Sequence, residues 1–184
     1  MTNLISKASA ELTKKIGLSG AITIGGLWKM TCIGPDGKVK WVQEKHNIIT
    51  NVGLDHILDV IFHGTSAISP WYIGLKNAGS VAAGDTAASH GAWTENQNYD
   101  EATRQAYDEA AASSQSITNS ASVATFTIDT DTQTIAGAFL DSTDTKGGTA
   151  GILIAAVDFA SAKAADDDDT LEVTYTISAA DDGA

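Results

Sequence analysis

The last third of the chain constrains its fold most strongly, because apolar and polar residues alternate there in four successive segments. These segments read SQSITNSASVATFTID, TQTIAGAFLDS, GILIAAVDFAS and DTLEVTYTIS. Alternation with a period of two is typical of strands that bury one face. Several short strands separated by Asp-, Gly- and Thr-rich turns predict an antiparallel sandwich or barrel, so we expect a mainly β fold.

A β-hairpin is predicted over residues 21–49. The run AITIGGLWKMTC is strand-like, and KVKWVQEKHNII alternates over the return strand. Between them, GPDGK is a turn in which Pro35 presets φ and Gly37 supplies a positive φ. Together with the segment WYIGLKN, the sequence offers about seven strands for a sheet sandwich.

One short helix is predicted at the edge of this β domain. Its apolar residues recur at i, i+3, i+4 and i+7, as Leu54, Ile57, Leu58 and Ile61. This spacing predicts about ten helical residues, ending at Gly64. His56 and His63 lie seven apart, whereas metal-binding pairs on a helix are three or four apart, so we assign them to a surface or an interface.

Residues 77–115 form the longest stretch without alternation, which predicts a long loop. Within it, YDEATRQAYDEAAA (residues 99–112) is predicted to be helical from its Ala, Glu and Arg content. Arg104, the only arginine, has carboxylates three and four residues away, which favours pairing within the chain or a contact with a neighbouring subunit. We expect residues 78–112 to lie between subunits, because so long a loop is rarely ordered alone.

Trp93 lies in the same loop beside His90. The residue types allow three interpretations: a buried loop anchor, a subunit contact, or an exposed ring that stacks on a sugar. The first two are favoured, because aromatic side chains concentrate in cores and interfaces.

Charge is distributed unevenly along the chain. Residues 1–45 hold seven lysines and three acidic residues (7 − 3 = +4), whereas residues 46–184 hold four bases and twenty acids (4 − 20 = −16). Such an acidic surface repels phosphates, which argues against a nucleic-acid-binding role. The basic end is either matched to an acidic partner surface or simply solvated.

The sequence also bounds compartment and chemistry. Cys32, the only cysteine, is expected to be a buried free thiol, and the N-terminus lacks a signal-peptide pattern. No apolar run is long enough for a membrane span. No nucleophile elbow, phosphate-binding glycine loop or zinc-ligand spacing occurs, so we expect neither enzymatic activity nor a cofactor. Structural calcium stays open at the acidic run of residues 166–169, because hard carboxylate oxygens suit this ion. Asp129, Asp131, Asp141 and Asp144 are equally explained as turn residues that bond their own backbone.

The stretch NIITNVGLDHILDVIFHGTSAISPWYIGL (residues 47–75) resembles a block near the start of small structural proteins of tailed bacteriophages. The shared features are N-x-I-x-N-x-G-L, a short helix ending in a bulky apolar residue, a Ser/Pro loop and W-Y-I-G-L. The resemblance continues through AGDTAASHGAWTE within residues 78–95, YDEATRQAY at residues 99–107 and a tail of Thr-rich strands, covering roughly residues 25–178. It implies a virion building block.

We therefore expect a capsid decoration or cement subunit, with a tail, neck or fibre-anchoring component or a carbohydrate-binding module as alternatives. The expected partners are the major capsid protein or other virion proteins and further copies of the chain, in a virion assembled in the host cytoplasm. We expect an N-terminal arm (1–20), a single β-rich domain (21–178) and an acidic C-terminal tail (179–184). The residues predicted to form interfaces are Lys7, Lys14, Lys15, Trp93 and Arg104.

Overall fold

The structure is a computed structural model, and it describes residues 22–181 of the chain. The chain divides into one unit of residues Gly25–Ser178 and a second unit of Met1–Ile24 and Ala179–Ala184. Of the second unit, residues 22–24 and 179–181 are described, and they belong to strands. The arm predicted over residues 1–20 lies outside the described residues, and the predicted C-terminal tail begins as strand.

The described residues contain eleven strands and one short helical segment. The strands are β1 (Ile22–Ile33), β2 (Val39–His46), β3 (Ile48–Ile49), β4 (Trp71–Lys76), β5 (Glu95–Asn96), β6 (Gln105–Tyr107), β7 (Ser116–Thr118), β8 (Ala124–Thr127), β9 (Gln133–Asp141), β10 (Leu153–Ala165) and β11 (Thr170–Asp181). The helix α1 (Asn51–Leu58) runs directly into a π-helical turn, Asp59–His63.

The strands form two antiparallel sheets. In sheet A the order is β2-β1-β11-β7, and β8 also pairs with β11. In sheet B the order is β3-β10-β9-β4-β5, and β6 also pairs with β4. The mainly β, sandwich-like fold with a short helix that the alternation predicted is confirmed.

The predicted N-terminal hairpin is confirmed as β1 and β2. Its turn is closed by the Gly34 amide, which donates to the Lys38 carbonyl at 2.9 Å, and Gly37 has the expected positive φ of 75°. The return strand is shorter than predicted. After Asn47 the chain leaves sheet A, and Ile48 and Ile49 pair with β10 in sheet B as strand β3.

The four strand segments predicted in the last third are also found, with one interruption. The first predicted segment is split into β7 and β8, which both pair with β11. Asn119 fills the gap between them: its side-chain Nδ2 donates to the Val173 carbonyl at 3.0 Å, and its Oδ1 accepts from the Tyr175 amide at 2.8 Å. A fully buried side-chain amide thus makes the two bonds that a strand backbone would make.

The main core lies in the unit Gly25–Ser178. Trp28 of β1 stacks on Tyr175 of β11, with ring centroids 4.0 Å apart. Both side chains are buried, as are Phe126 of β8, Ile135 of β9 and Leu140 of β9. These residues belong to one contiguous apolar cluster that includes side chains of both sheets, as a sandwich requires.

Sheet B is buried on both faces at its centre. Residues 135–141 of β9 and 153–157 of β10 are all buried, so burial there does not alternate. A second apolar cluster accounts for this, because it joins Val81, Ala87 and Trp93 of the long loop to Phe139 and Leu153 of the sheet. The loop is therefore a cover for the outer face of sheet B.

The helix predicted over residues 99–112 is wrong. Within that range the structure contains strand β6, an isolated β-bridge at Tyr99 and irregular backbone. Tyr99 and Tyr107 are both buried, and Arg104 is drawn to Glu95 and Asp141. Tertiary contacts override the local helix propensity of this segment.

Helix α1 is fixed to sheet B at its first turn. The Thr50 hydroxyl accepts from the Gly53 amide at 3.0 Å as an N-cap and donates to the Leu153 carbonyl of β10. Gly53 allows the close approach, since a Cβ at this position would lie 2.5 Å from the Ile154 carbonyl oxygen. As predicted, Gly64 ends the helical segment, in the left-handed region at φ 77°.

We expect Gly53→Ala to lower the free energy of unfolding by about 1–3 kcal/mol, because the added methyl meets the backbone of β10. Helix propensity alone predicts the opposite sign, a gain of roughly 1 kcal/mol. Urea denaturation measures the difference. Gly84→Ala is the control, since its Cβ meets nothing within 4 Å and the change should stay within about 0.5 kcal/mol. A stabilised Gly53→Ala protein would show that α1 does not rest on β10.

Candidate protein-interaction site

The apolar stripe of the helical segment faces solvent. We call Leu54, Leu58, Ile61 and Phe62 the helix patch; these side chains are 40%, 55%, 62% and 80% exposed. Of the stripe that the sequence predicted, only Ile57 packs partly against the core. A helix in a globular protein usually turns its apolar stripe inward, so this orientation is unusual.

The inward face of the same segment carries small and polar groups. Gly53 and His56 are its buried residues, and the His56 ring meets the Trp71 ring edge-on with centroids 5.6 Å apart. His56 therefore serves as a packing residue under the helix, which corrects its predicted surface position. His63 is exposed in the π-helical turn, as predicted, so the two histidines differ in environment.

An apolar groove adjoins the helix patch. It has a volume of about 210 Å³, and it is lined by Ile57, Val60, Ile61, Ile68, Trp71 and Ile154, with Ala67 and the ring of His56. Pockets of this kind, with few polar groups, accept apolar side chains of a partner. Helix patch and groove share Ile61, so they form one continuous surface.

The charge around this surface has one sign. Residues 46–75 contain Asp55 and Asp59 but no lysine or arginine, which gives a formal charge of 0 − 2 = −2. Both carboxylates belong to exposed residues of the helical segment. The surface therefore combines an apolar centre with an acidic border, and it favours a partner that is apolar and basic.

Among the residues predicted to form interfaces, Lys7, Lys14 and Lys15 lie outside the described residues. Trp93 is 3% exposed. Its Nε1 donates to Asp85 Oδ2 at 2.8 Å, and its ring stacks on His90 with centroids 4.1 Å apart and leans against Phe139. Trp93 is thus a buried loop anchor, the first of the three interpretations, and it offers no exposed ring for a sugar.

Arg104 is 3% exposed and is paired within its own chain. Its Nε and Nη2 donate to the two carboxylate oxygens of Glu95 at 2.9 and 2.8 Å, a bidentate pair. Nη1 lies 3.3 Å from Asp141 Oδ1 and also donates to the Thr143 carbonyl, while Nη2 reaches the Gly148 carbonyl. These partners come from other segments of the chain, whereas the intrachain pairing predicted from the sequence was with the carboxylates three and four residues from Arg104.

This cluster joins three segments: strand β5, the loop around residue 104 and the turn after β9. Burial works to lower the pKa of Arg104, but the hydrogen bonds and charge of Glu95 and the charge of Asp141 outweigh it and raise that pKa. Burial also raises the pKa of Asp141. The guanidinium stays charged in either case and compensates two buried carboxylates. Its contacts give it a role in folding the loop onto sheet B, and the predicted subunit bridge through Arg104 stays a prediction.

A second ion cluster lies at the hairpin turn and the acidic run. Lys40 Nζ is 2.6 Å from Asp169 Oδ2 and 2.8 Å from Asp166 Oδ2. Cys32 Sγ lies 3.6 Å from Asp169 Oδ2. Burial and the charge of Asp169 raise the pKa of Cys32 to about 12, so the thiol is protonated at neutral pH and is not a nucleophile. The buried free thiol that the sequence predicted is confirmed.

The acidic run is bound into turns. Asp166 Oδ1 accepts from the Thr132 amide at 3.2 Å, and Asp131 Oδ1 accepts from the Asp167 amide at 3.2 Å. Within residues 22–181, His, Cys, Asp and Glu side chains form no group of three suited to a metal ion. Of the carboxylates to which sequence analysis assigned a turn role, Asp131 bonds the backbone of the acidic run, and Asp141 Oδ1 accepts from the Thr143 amide at 2.9 Å.

No protein-family model, curated protein or solved structure matches the chain. In the part that the structure describes, no helix is long and apolar enough to cross a membrane. The site is therefore interpreted from its own geometry. Sequence analysis found the residues of the stripe from their spacing, but it did not identify the stripe as a surface or Phe62 as its most exposed member.

We expect Arg104→Met to lower the free energy of unfolding by about 3–5 kcal/mol, because it leaves the buried carboxylates of Glu95 and Asp141 without their cation. Urea denaturation measures the loss. Lys29→Met is the matched control: Lys29 forms an exposed pair with Glu44 at 4.0 Å, and its loss should cost at most about 1 kcal/mol. A loss below about 0.5 kcal/mol for Arg104→Met would mean that the cluster is dispensable.

Folding stability should also depend on pH through Lys40. Hydrogen bonds to Asp166 and Asp169 raise the pKa of Lys40 above its ordinary 10.5. A cation with a raised pKa stabilises the fold fully below pH 10.5, and this stabilisation is lost as pH rises through the raised pKa. Lys40→Met should therefore cost about 1–2 kcal/mol at neutral pH, a value between those of exposed and buried pairs.

The test is the difference between parent and Lys40→Met in denaturation experiments at neutral pH and at increasing pH above 10.5. We expect the difference to shrink in the alkaline range. Ionisation of the buried tyrosines affects both proteins equally and cancels. A difference that stays constant with pH would assign the effect to packing of the lysine stem instead of its charge.

Proposed function

We propose that the chain is a structural protein of a tailed-bacteriophage particle, a decoration or cement subunit that binds the capsid shell and stabilises the head. Its partners are the major capsid protein and further copies of itself. It assembles in the host cytoplasm and remains on the virion. It acts by binding, without catalysis or a cofactor.

The observation that carries this proposal is the solvent-facing helix patch. Exposed apolar side chains that adjoin one another are typical of protein-binding surfaces, whereas scattered ones are ordinary. Four such residues lie on one short helical segment beside an apolar groove. A surface of this kind fits a protein that attaches to a larger assembly.

The segment that resembles phage proteins also builds this surface. Its Gly53 seats α1 on β10, and its W-Y-I-G-L portion is strand β4 of sheet B. Leu54, the last residue of N-x-I-x-N-x-G-L, is 40% exposed. The motif therefore supplies both the support of the helix and part of the helix patch, which supports a binding role for the segment as a whole.

The charge distribution supports an outward-facing subunit. Residues 46–184 carry a formal charge of 4 − 20 = −16. A surface of this sign is soluble and repels nucleic acid, which suits a protein on the exterior of a shell. The carbohydrate-binding alternative depended on an exposed Trp93, and that side chain is buried. The number of copies per virion distinguishes a position on the tail or neck from a position on the head.

We expect purified virions to contain on the order of hundreds of copies of this chain, arranged by the symmetry of the shell. Quantitative mass spectrometry against the major capsid protein measures this ratio. About a dozen copies or fewer would indicate a tail or neck component instead. Absence of the chain from virions would refute the proposal.

Capsids that lack the protein should bind the parent chain and bind Leu58→Ser and Phe62→Ser about ten- to hundredfold more weakly, because each variant loses a large apolar contact that holds subunits on the shell, either to the shell or to a neighbouring copy. Val123→Ser is the control, since Val123 is an exposed apolar residue outside the helix patch. Equal saturation of capsids by all four proteins would remove the helix patch from the attachment surface.

A further inference from the structure

We propose that the helix patch and its groove receive the N-terminal segment, residues 4–16, of a neighbouring copy of the chain. The contact is an exchange in which each molecule offers one apolar segment and one groove. The choice of a neighbouring copy rests on the proposed function, since a subunit that repeats over a shell contacts its own kind.

The groove side of the contact is preformed. Thr50 and Gly53 hold α1 on β10, and the Trp71 ring supports it from below through His56. The exposed side chains of Leu58, Ile61 and Phe62 then project from a fixed base. A rigid apolar surface loses little conformational entropy when a partner binds, which favours affinity.

The sequence pattern of the N-terminal segment fits this groove. Its apolar residues Ile5, Ala8, Leu12 and Ile16 recur at intervals of three, four and four. Anchors at this spacing are how an amphipathic segment fills an apolar groove. Four anchors are too few to form a core of their own, but they are sufficient for one face of a docked segment.

Charge complementarity favours the same pair of partners. Residues 1–21 contain three lysines and one glutamate, a formal charge of 3 − 1 = +2, whereas residues 46–75 carry −2. Two helix patches facing each other would bring Asp55 and Asp59 of both copies together, which is unfavourable. A basic segment is therefore a better occupant than a second helix patch.

The length of the segment permits an exchange between molecules. Twenty-one residues precede Ile22, the first described residue. With residues 4–16 docked, residues 17–21 link the segment to Ile22, and an extended link of that length reaches up to about 20 Å, which suits a neighbouring copy in direct contact. Because one segment enters one groove in a head-to-tail sense, the contact is heterologous and builds a ring or a row of copies.

The test uses the full-length protein with substitutions in either the N-terminal segment or the helix patch. Ile5→Ser/Leu12→Ser removes two anchors and leaves the groove intact, while Phe62→Ser damages the groove side and leaves the segment intact. Sedimentation at a series of concentrations measures association. We expect the parent to oligomerise and each variant to associate about ten- to hundredfold more weakly, with unchanged melting temperature. Val123→Ser, with an exposed apolar residue elsewhere, should associate like the parent.

Mixing the two variants gives the decisive result. An intact segment from Phe62→Ser meets an intact groove from Ile5→Ser/Leu12→Ser, so we expect a one-to-one dimer that grows no further. A parent that is monomeric at all concentrations, or a mixture that stays monomeric while the parent oligomerises, overturns the proposal. The proposed function can fail on its own: the chain would be absent from virions and would not bind capsids, while the mixed variants still form the dimer. That outcome would refute the proposed function and leave the exchange between copies intact.

Discussion

The structure depends on the need to bury both faces of sheet B. One face packs in the main core, and the other carries Phe139, Leu153 and Ala156, which no strand among residues 22–181 covers. Apolar area of this extent must be removed from water for the domain to be stable. The long loop does this with Val81 and Trp93, so it is a layer of the core and its sequence is not free to vary as a surface loop would be.

A covering loop without its own secondary structure has to be held by specific polar contacts, and two buried cations do so. Lys76 is fully buried, lies 2.7 Å from Asp158 and donates to the Gly79 carbonyl. Arg104 joins Glu95 to the turn after β9. Such pairs contribute little net stability once desolvation is counted, but removing one partner is costly. We interpret them as devices that fix one conformation of the loop.

The sequence predicted those parts of the fold that local patterns determine. The hairpin turn at Gly37 and the strands of the last third were predicted correctly, because turn residues and β-forming runs act over a few residues, although burial of β9 and β10 on both faces was not predicted. The split between β7 and β8 could not be predicted, since it depends on Asn119 meeting β11 more than fifty residues away. For the same reason the sequence offered Arg104 only neighbouring carboxylates or a second subunit as partners, whereas Glu95 and Asp141 come from other segments of the chain.

The candidate site, too, could be predicted only in part, because its exposure depends on contacts distant in sequence. Spacing identified a stripe on α1, but a hydrophobic pattern gives the period of an element and not which of its faces is covered. Gly53 and Thr50 determine which face of the helix is buried, because they hold the face opposite the stripe against β10. A short helix seated in this way leaves Leu58 and Phe62 55% and 80% exposed, so each side chain forgoes much of the roughly 1.5–3 kcal/mol of transfer free energy that full burial gives. Folding therefore gives little reason for these residues to be apolar, whereas association with a partner would give one.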